Sequence, residues 1–197
     1  EIDRALPIIE KLNAEFPEAI LSIDTSRARV AEEAIAAGAH IVNDVSGGTL
    51  DAEMFNTVAA LQVPYIAMHM RGVPETMQSL TAYSDIVSEV ATFLGEKIAE
   101  LRALGVKDII LDPGFGFAKN QEQNYELLLR IEELHYFGLP LLGGLSRKSM
   151  IYKKLGISPQ EALNGTTALN SILLSKGVQI LRVHDVKEAK QIVDLLF

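Results

Sequence analysis

Short apolar runs alternate along the chain with longer segments in which apolar residues recur every three or four positions. The short runs are mostly apolar throughout, which is typical of parallel strands covered on both faces, because neither face of such a strand meets water. The longer segments have the spacing of amphipathic helices. The predicted strands cover residues 20–23, 40–43, 65–69, 109–112, 139–144 and 180–183.

Capping residues mark where the predicted helices begin. Residues 158–161, Ser-Pro-Gln-Glu, combine an N-cap, a first-turn proline and a capping-box glutamate. Asp185 and Glu188 predict the same box before the last helix, whereas Asn164 and Gly165 predict a break or bend between two helical pieces. The other predicted helices cover residues 2–15, 26–37 with Ser26 as the cap, and 84–104 with Ser84 as the cap.

Six strand–helix units after an opening helix predict a repeated βα architecture in one domain, residues 1–197. A complete eight-unit barrel takes about 250 residues, and at about 30 residues per unit this chain has room for six or seven. An open doubly wound sheet and an incomplete barrel both fit that length. Polar residues end all six strands, and a barrel gathers every strand end on one rim, whereas an open sheet gathers only those beside its switch point. We therefore expect an α/β fold, a (β/α)8 TIM barrel reduced to about six parallel strands.

Composition excludes several classes of protein. The chain has 197 residues, of which 48% are hydrophobic, yet no apolar run reaches the length of about 18 residues expected of a membrane span, so no membrane partner is expected. Cysteine is absent, which excludes disulfides and thiolate metal sites and is compatible with the cytoplasm, the expected location. A net charge of −8 argues against non-specific nucleic-acid binding, so an anionic ligand needs a local cluster of cations.

Asp112 is the strongest single candidate for a functional residue. It ends an apolar strand and precedes residues 113–117, Pro-Gly-Phe-Gly-Phe. Two glycines and a proline predict a rigid loop that lets a ligand approach the backbone closely. A carboxylate below such a loop suits a ligand that presents paired N–H donors.

Two basic clusters follow the last two strands. Residues 146–149, Ser-Arg-Lys-Ser, offer two cations beside the N–H groups of a helix N-terminus, which together suit an anion. Arg182 and His184 are two residues apart on a strand and so project to one side, as a phosphate clamp requires. Surface ion pairing is the alternative for both clusters.

The remaining strand ends each have a structural alternative. Asp24 suits a helix cap as well as an active-site carboxylate, and Asn43 and Asp44 suit a turn, the role predicted for Asp44. His69 fits a satisfied buried histidine as well as a catalytic one. Met68 is interpreted as core filler by default.

Six short motifs occur in order, each at a predicted strand end. Together they resemble the C-terminal three-quarters of dihydropteroate synthase, a pterin-binding (β/α)8 barrel family of folate biosynthesis that sulfonamides target. The motifs are Ile23-Asp24-Thr25, Ile41-Val42-Asn43-Asp44, Met68-His69-Met70, Leu111-Asp112-Pro113-Gly114-Phe115-Gly116-Phe117, Ser146-Arg147-Lys148-Ser149 and Arg182-Val183-His184-Asp185.

The resemblance implies a transferase that joins 4-aminobenzoate to hydroxymethyl-dihydropterin diphosphate and releases diphosphate. Asp112 would accept hydrogen bonds from the 2-amino group and ring N–H of the pterin, and Lys148 would meet its carbonyl side. The implied pterin-binding residues are Asn43, Met68, Asp112, Gly116, Lys148 and Arg182.

The family chemistry implies that diphosphate leaves first and that the arylamine then attacks a pterin cation, which Asp24 would stabilise electrostatically. Arg182 and His184 would hold the diphosphate, while Phe117 and Ser149 would contact the aminobenzoate. The residues implied for catalysis are Asp24, Lys148, Arg182 and His184.

The sequence departs from the family at its start, because the motifs of the first two βα units are absent. We therefore expect the chain to be part of a longer enzyme and to be inactive alone. The resemblance implies Mg²⁺ bound through the diphosphate and a missing N-terminal loop, with no metal ligand in this chain. It also implies a homodimer, for which the apolar helix near residues 166–174 is a reasonable contact surface.

Two other readings remain open at this point. One is a related pterin-binding methyltransferase domain, which would need a corrinoid partner; the two basic clusters argue against it. The other is a catalytically incompetent module that keeps the ring pocket without turnover.

Overall fold

The computed structural model describes residues 1–73 and 76–197, and within them helices alternate with six strands whose pairings are parallel. This confirms the predicted α/β class. The strands are β1 (Ser22–Asp24), β2 (Ile41–Asp44), β3 (Tyr65–Met68), β4 (Ile109–Asp112), β5 (Leu142–Gly143) and β6 (Ile180–Leu181). The α-helices are α1 (Ile2–Glu15), α2 (Ala28–Ala36), α3 (Met54–Leu61), α4 (Ile86–Ala103), α5 (Gln121–Leu129), α6 (Ser149–Leu155), α7 (Leu163–Ser175) and α8 (Val186–Leu196), and short 3-10 segments cover Met77–Ser79, Ile131–Phe137 and Pro159–Glu161.

The chain forms two compact units, residues 1–69 with 93–110 and residues 70–92 with 111–197. The expectation of one barrel domain over the whole chain stays a prediction. In the first unit, β1, β2 and β3 pair in parallel, and Asp24 lies opposite Asn43 in the register. The polar ends of β1 and β2 are therefore neighbours.

The second unit holds the end of β4 together with β5 and β6. The backbone N–H of Leu111 donates to the carbonyl of Pro140 at 2.9 Å, and β5 pairs with β6 so that Gly143 lies opposite Leu181. These pairings bring the carboxyl ends of the three strands to the same edge. The loops that follow them carry the strongest candidate residues of the sequence.

Tertiary packing explains where the predicted helix signals were wrong. Helix α2 begins at Ala28, whose backbone N–H donates to Asp51 Oδ2 at 2.8 Å. Asp51, rather than the predicted Ser26, therefore supplies the acceptor at this helix N-terminus. The predicted break at residues 164–165 is also wrong, since α7 runs through it. Gly165 is needed there because a Cβ would lie 2.5 Å from Ile151 Cγ2.

Two further predicted helix caps, Ser84 and Asp185, are wrong because of the side-chain contacts that form instead. Asp85 rather than Ser84 accepts from the backbone of Ser88 in the first turn of α4. The box predicted at Asp185 is absent because its carboxylate pairs with Arg147 instead. By contrast, the predicted capping box of residues 158–161 is present, at the start of a 3-10 turn.

The part of the chain that the structure describes contains no helix long and apolar enough to cross a membrane.

Candidate active site

The carboxyl end of β4 places a carboxylate, Asp112, in the interior of the second unit. Asp112 is 7% exposed, and its Oδ1 accepts a hydrogen bond of 2.7 Å from the backbone N–H of Gly114. Burial raises the pKa of Asp112, while Lys148, the Gly114 N–H, Lys119 and Arg182 oppose that rise. The pKa of Asp112 is raised overall, and three neighbouring cations limit that rise; in its ionised form the carboxylate accepts hydrogen bonds.

The loop after Asp112, residues 113–118, has the unusual backbone that its glycines predict. Gly114 and Gly116 have φ angles of 70° and 82°, which cost glycine little, and Ala118 adopts a φ of 50°. A Cβ at Gly116 would lie 3.3 Å from Lys148 Cδ. The glycine thus lets the lysine stem pass close to the loop backbone.

A lysine that the sequence did not single out, Lys119, holds this loop from inside. It is 3% exposed, and its Nζ donates to the carbonyls of Gly114 at 2.8 Å and Phe117 at 3.0 Å. The sequence around Lys119 does little to reveal its burial, because most lysines in proteins are exposed. One signal was available, namely its place directly after a glycine-rich turn whose carbonyls need donors.

The charge of Lys119 is costly in this position. Burial lowers the pKa of Lys119 from its ordinary 10.5 to about 7; Asp112 opposes that fall, and the cations Lys148 and Arg71 add to it. The amine is therefore partly deprotonated near neutral pH. Its two hydrogen bonds position the loop, and its remaining charge helps to keep the neighbouring carboxylate ionised.

Lys148 is the second amine directed at the loop. Its Nζ donates to the carbonyl of Phe115 and lies 4.9 Å from the centre of the Phe117 ring. Burial lowers the pKa of Lys148, Asp112 raises it, and Arg182 lowers it further. A half-buried ammonium beside both a carboxylate and an aromatic face can bind a flat polar ring.

Arg182 and His184 follow β6 and are exposed. A Cβ at Gly144 would lie 3.9 Å from both Arg182 Cβ and Lys148 Nζ, so the two cationic residues approach the same glycine. The backbone N–H of His184 donates to Ser146 Oγ at 3.2 Å, and its Nδ1 lies 2.9 Å from the same atom. The two basic clusters predicted from the sequence are thus neighbours in the second unit.

Arg147 differs from the sequence interpretation, which grouped it with Lys148 as a second cation for an anion. Its Nε and Nη2 donate to Asp185 at 2.9 and 2.7 Å. For this residue the alternative of ion pairing is correct. Ser149 is partly buried and begins α6, directly after Lys148.

The comparison with known families shows to which family the chain belongs. A family model described as "Pterin binding enzyme" matches residues 1–184. The chain belongs to the pterin-binding enzyme family.

Within this pterin-binding family, the chain is similar to dihydropteroate synthases over nearly its whole length. It is 43% identical over 194 residues to the Escherichia coli (strain K12) dihydropteroate synthase, covering 95% of this chain and 67% of that protein. The Yersinia pestis dihydropteroate synthase solved with a sulfonamide drug complex has a TM-score of 0.95 and 40% identity, covering 98% of this chain and 71% of that one. The Thermus thermophilus dihydropteroate synthase solved with 4-aminobenzoate has a TM-score of 0.91 and 38% identity. The match covers 96% of this chain and 77% of that one. These similarities confirm the resemblance of the six motifs and the predicted barrel fold class.

The first unit of this pterin-binding enzyme holds the pair Asp24 and Asn43. Asn43 Nδ2 donates to Asp24 Oδ1 at 2.7 Å. Asn43 is 6% exposed, and its buried Oδ1 accepts no hydrogen bond from the described residues. A buried amide oxygen without a donor is costly, so this atom suits a ligand that brings an N–H group.

The other strand ends of the first unit, Asp44, Met68 and His69, are buried. The Asp44 carboxylate is fully buried and accepts from Ser46, Gly48 and the Tyr65 hydroxyl, which confirms its predicted role in the turn. His69 is buried and packs edge-on against Phe93, with ring centres 5.1 Å apart. Met68, the last residue of β3, is also buried. These contacts fit the structural alternatives given above for Met68 and His69.

Proposed function

We propose that the protein is a dihydropteroate synthase, which joins 4-aminobenzoate to hydroxymethyl-dihydropterin diphosphate and releases diphosphate. The observation that carries this proposal is the cluster of Asp112, Lys148 and Arg182 beside the glycine loop of a pterin-binding enzyme. Relatives solved with 4-aminobenzoate and with a sulfonamide support the choice of substrates.

Side chains of the second unit would bind the pterin ring through hydrogen-bond donors and acceptors in fixed positions. The Asp112 carboxylate would accept from the 2-amino group and the ring N–H, because an ionised carboxylate offers two oxygens to paired donors. The Lys148 ammonium would donate to the ring carbonyl. Gly116 would leave room for the ring beside the loop backbone, since any side chain at this position would contact Lys148.

The diphosphate would be held by Arg182 and His184. Its departure breaks the bond between the pterin methylene carbon and the phosphate oxygen, and the electron pair leaves with the diphosphate. The neutral arylamine nitrogen then forms a C–N bond to that carbon and loses a proton. Cations beside the leaving oxygen stabilise the charge that develops on it. Phe117, whose ring lies beside Lys148, would contact the aminobenzoate ring, and Ser149, which follows Lys148 in the chain, would contact its carboxylate.

Other assignments also stay proposals. The roles expected for Asp24, Asn43 and Met68 in substrate binding or catalysis stay predictions, as do a homodimer and a cytoplasmic location. In residues 1–73 and 76–197 no three His, Asp or Glu side chains are grouped to hold a metal ion. We propose that Mg²⁺ would be held through the diphosphate.

Product formation tests the proposal. The protein, in its full length, is incubated with the pterin diphosphate and 4-aminobenzoate, and dihydropteroate is measured. Asp112→Asn and Lys148→Met are expected to lose about 100-fold or more in turnover, since each removes a charged contact to the ring. Lys153→Met, which changes an exposed lysine on α6, is the matched control and should keep wild-type turnover.

Each outcome assigns one reading. Wild-type turnover in both Asp112→Asn and Lys148→Met would show that the site is wrong. Pterin binding by the full-length protein without product would favour the catalytically incompetent module. Methyl transfer from methyltetrahydrofolate to a corrinoid would favour the methyltransferase reading, which the similarity to dihydropteroate synthases disfavours.

A further inference from the structure

Two loops of the second unit carry the basic residues of the site and are joined by side chains. We call residues 146–148 the lysine loop and residues 182–185 the histidine loop. Ser146 Oγ accepts from the backbone N–H of His184 at 3.2 Å and lies 2.9 Å from its Nδ1. Arg147 of the lysine loop is paired with Asp185 of the histidine loop.

The guanidinium of Arg147 is engaged on several sides. Its Nε and Nη2 donate to Asp185 at 2.9 and 2.7 Å, and its Nη1 donates to the carbonyls of Pro159 at 3.1 Å and Gln160 at 2.7 Å. Its backbone N–H donates to Thr166 Oγ1 at 3.0 Å. The fork that would grip an anion with two parallel hydrogen bonds is therefore already used within the protein.

The backbone at Arg147 is also specialised. Its φ of 54° lies in the left-handed region, which a residue with a long side chain seldom adopts and which persists only where surrounding contacts enforce it. The pair with Asp185 is partly buried, with side-chain exposures of 26% and 18%. Lys148 directly follows Arg147, and His184 directly precedes Asp185, so the pair fixes the backbone next to both.

We propose that Arg147 and Asp185 are positioning residues for the diphosphate: their ion pair locks the lysine loop to the histidine loop and so holds His184 in place for the diphosphate, beside Lys148, which binds the pterin ring. This inference rests on the proposed function, because it takes the diphosphate as the ligand. Neither residue touches the anion. Each acts by fixing the residue beside it in the chain.

A purely electrostatic effect of Asp185 and a positioning role predict opposite results for Asp185→Asn. If Asp185 acted only through its charge, Asp185→Asn would remove a repulsive carboxylate and tighten diphosphate binding. If Asp185 positions the loops, the same variant weakens binding. Likewise Arg147→Lys keeps the positive charge but loses the bidentate fork, so it weakens binding only under positioning.

The experiment is a calorimetric titration of inorganic diphosphate into the full-length protein and its variants. Asp185→Asn and Arg147→Lys are each expected to weaken diphosphate affinity about tenfold, because small displacements of binding groups cost that much or more. The double variant should lose no more than either single one, since both remove one pair. Asp194→Asn, which removes an exposed carboxylate near the far end of α8, is the matched control and should bind like wild type.

The outcomes separate the inference from the function on which it rests. Unchanged or tighter binding by Asp185→Asn, or wild-type affinity in Arg147→Lys, overturns the positioning role while leaving the diphosphate site in place. Wild-type protein that binds no diphosphate overturns the site itself, and this inference with it. Thermal melting checks that each variant is folded; if Asp185→Asn is not, Arg147→Lys decides the question.

Discussion

Replacing the buried Lys119 with methionine tests the electrostatics of the site through stability. Lys119→Met keeps a long unbranched side chain, removes the charge, and removes the hydrogen bonds to Gly114 and Phe117. Because burial holds the pKa of Lys119 at about 7 in the folded protein, the folded state binds this proton far less tightly than the unfolded chain does. The wild-type free energy of unfolding must therefore carry a dependence on pH that the variant lacks.

The sign follows from proton linkage. Below pH 7 both states carry the proton, and the folded state bears the full cost of the buried charge. Between about 7 and the ordinary 10.5 the unfolded chain binds more protons, so the free energy of unfolding rises with pH. Those two pKa values give a gain of about 3 kcal/mol between pH 7 and pH 9.5. Lys148, whose pKa burial also lowers, adds in the same direction but is present in both proteins.

The assay is urea unfolding of wild type and variant at both pH values, with the slope against urea compared as well as the midpoint. Wild type should gain about 3 kcal/mol more than Lys119→Met on going to pH 9.5. Lys187→Met, an exposed lysine of α8, should behave like wild type. A pH dependence that is equal in wild type and Lys119→Met would refute the reasoning, because it would place the source elsewhere. Asp112, Lys148 and Arg71 are the charged groups that act on Lys119.

Three further variants test the packing that supports the site, each by urea unfolding. Gly143→Ala should lose about 1–3 kcal/mol, since its Cβ would lie 2.4 Å from Leu173 Cδ1 in the interior; full stability would mean that α7 can move away. Asp44→Ala should lose about 3 kcal/mol because it leaves the buried Tyr65 hydroxyl and two backbone donors without their acceptor; a loss under about 1 kcal/mol would contradict this. Phe115→Ala should lose about 3–5 kcal/mol from a fully buried site, and a near-neutral result would show that the loop is not packed as described.

The sequence predicted those features that local chemistry decides. Helix α1 has the predicted bounds, β4 ends at Asp112 as predicted, and the capping box of residues 158–161 is present. Each depends on residues within a few positions of one another, where propensity, capping and apolar spacing agree. The glycine conformations after Asp112 were predictable for the same reason.

The features that were missed depend on residues distant in sequence. Gly165 predicted a break, yet α7 continues through it, and the glycine is needed there because Ile151 occupies the space that a side chain would take. Asp185 predicted a cap, yet Arg147, 38 positions away, takes its carboxylate. Lys119 was not singled out because its burial follows from how the loop folds back over it. The local sequence limits the roles that a residue can have, and its tertiary contacts determine which of these roles it has.

The proposed substrate complements the charges of the second unit. The chain as a whole carries a net charge of −8, yet Lys119, Lys148 and Arg182 act on the single carboxylate of Asp112. Burial lowers the pKa of both lysines, so this arrangement costs stability in the free protein. The proposed diphosphate, held by Arg182 and His184, would bring negative charge close to Lys148 and offset part of that cost. The proposed substrate has a part for each, a flat ring for Asp112 and Lys148 and a diphosphate for Arg182 and His184, which matches a local concentration of positive charge in a chain whose composition is otherwise acidic.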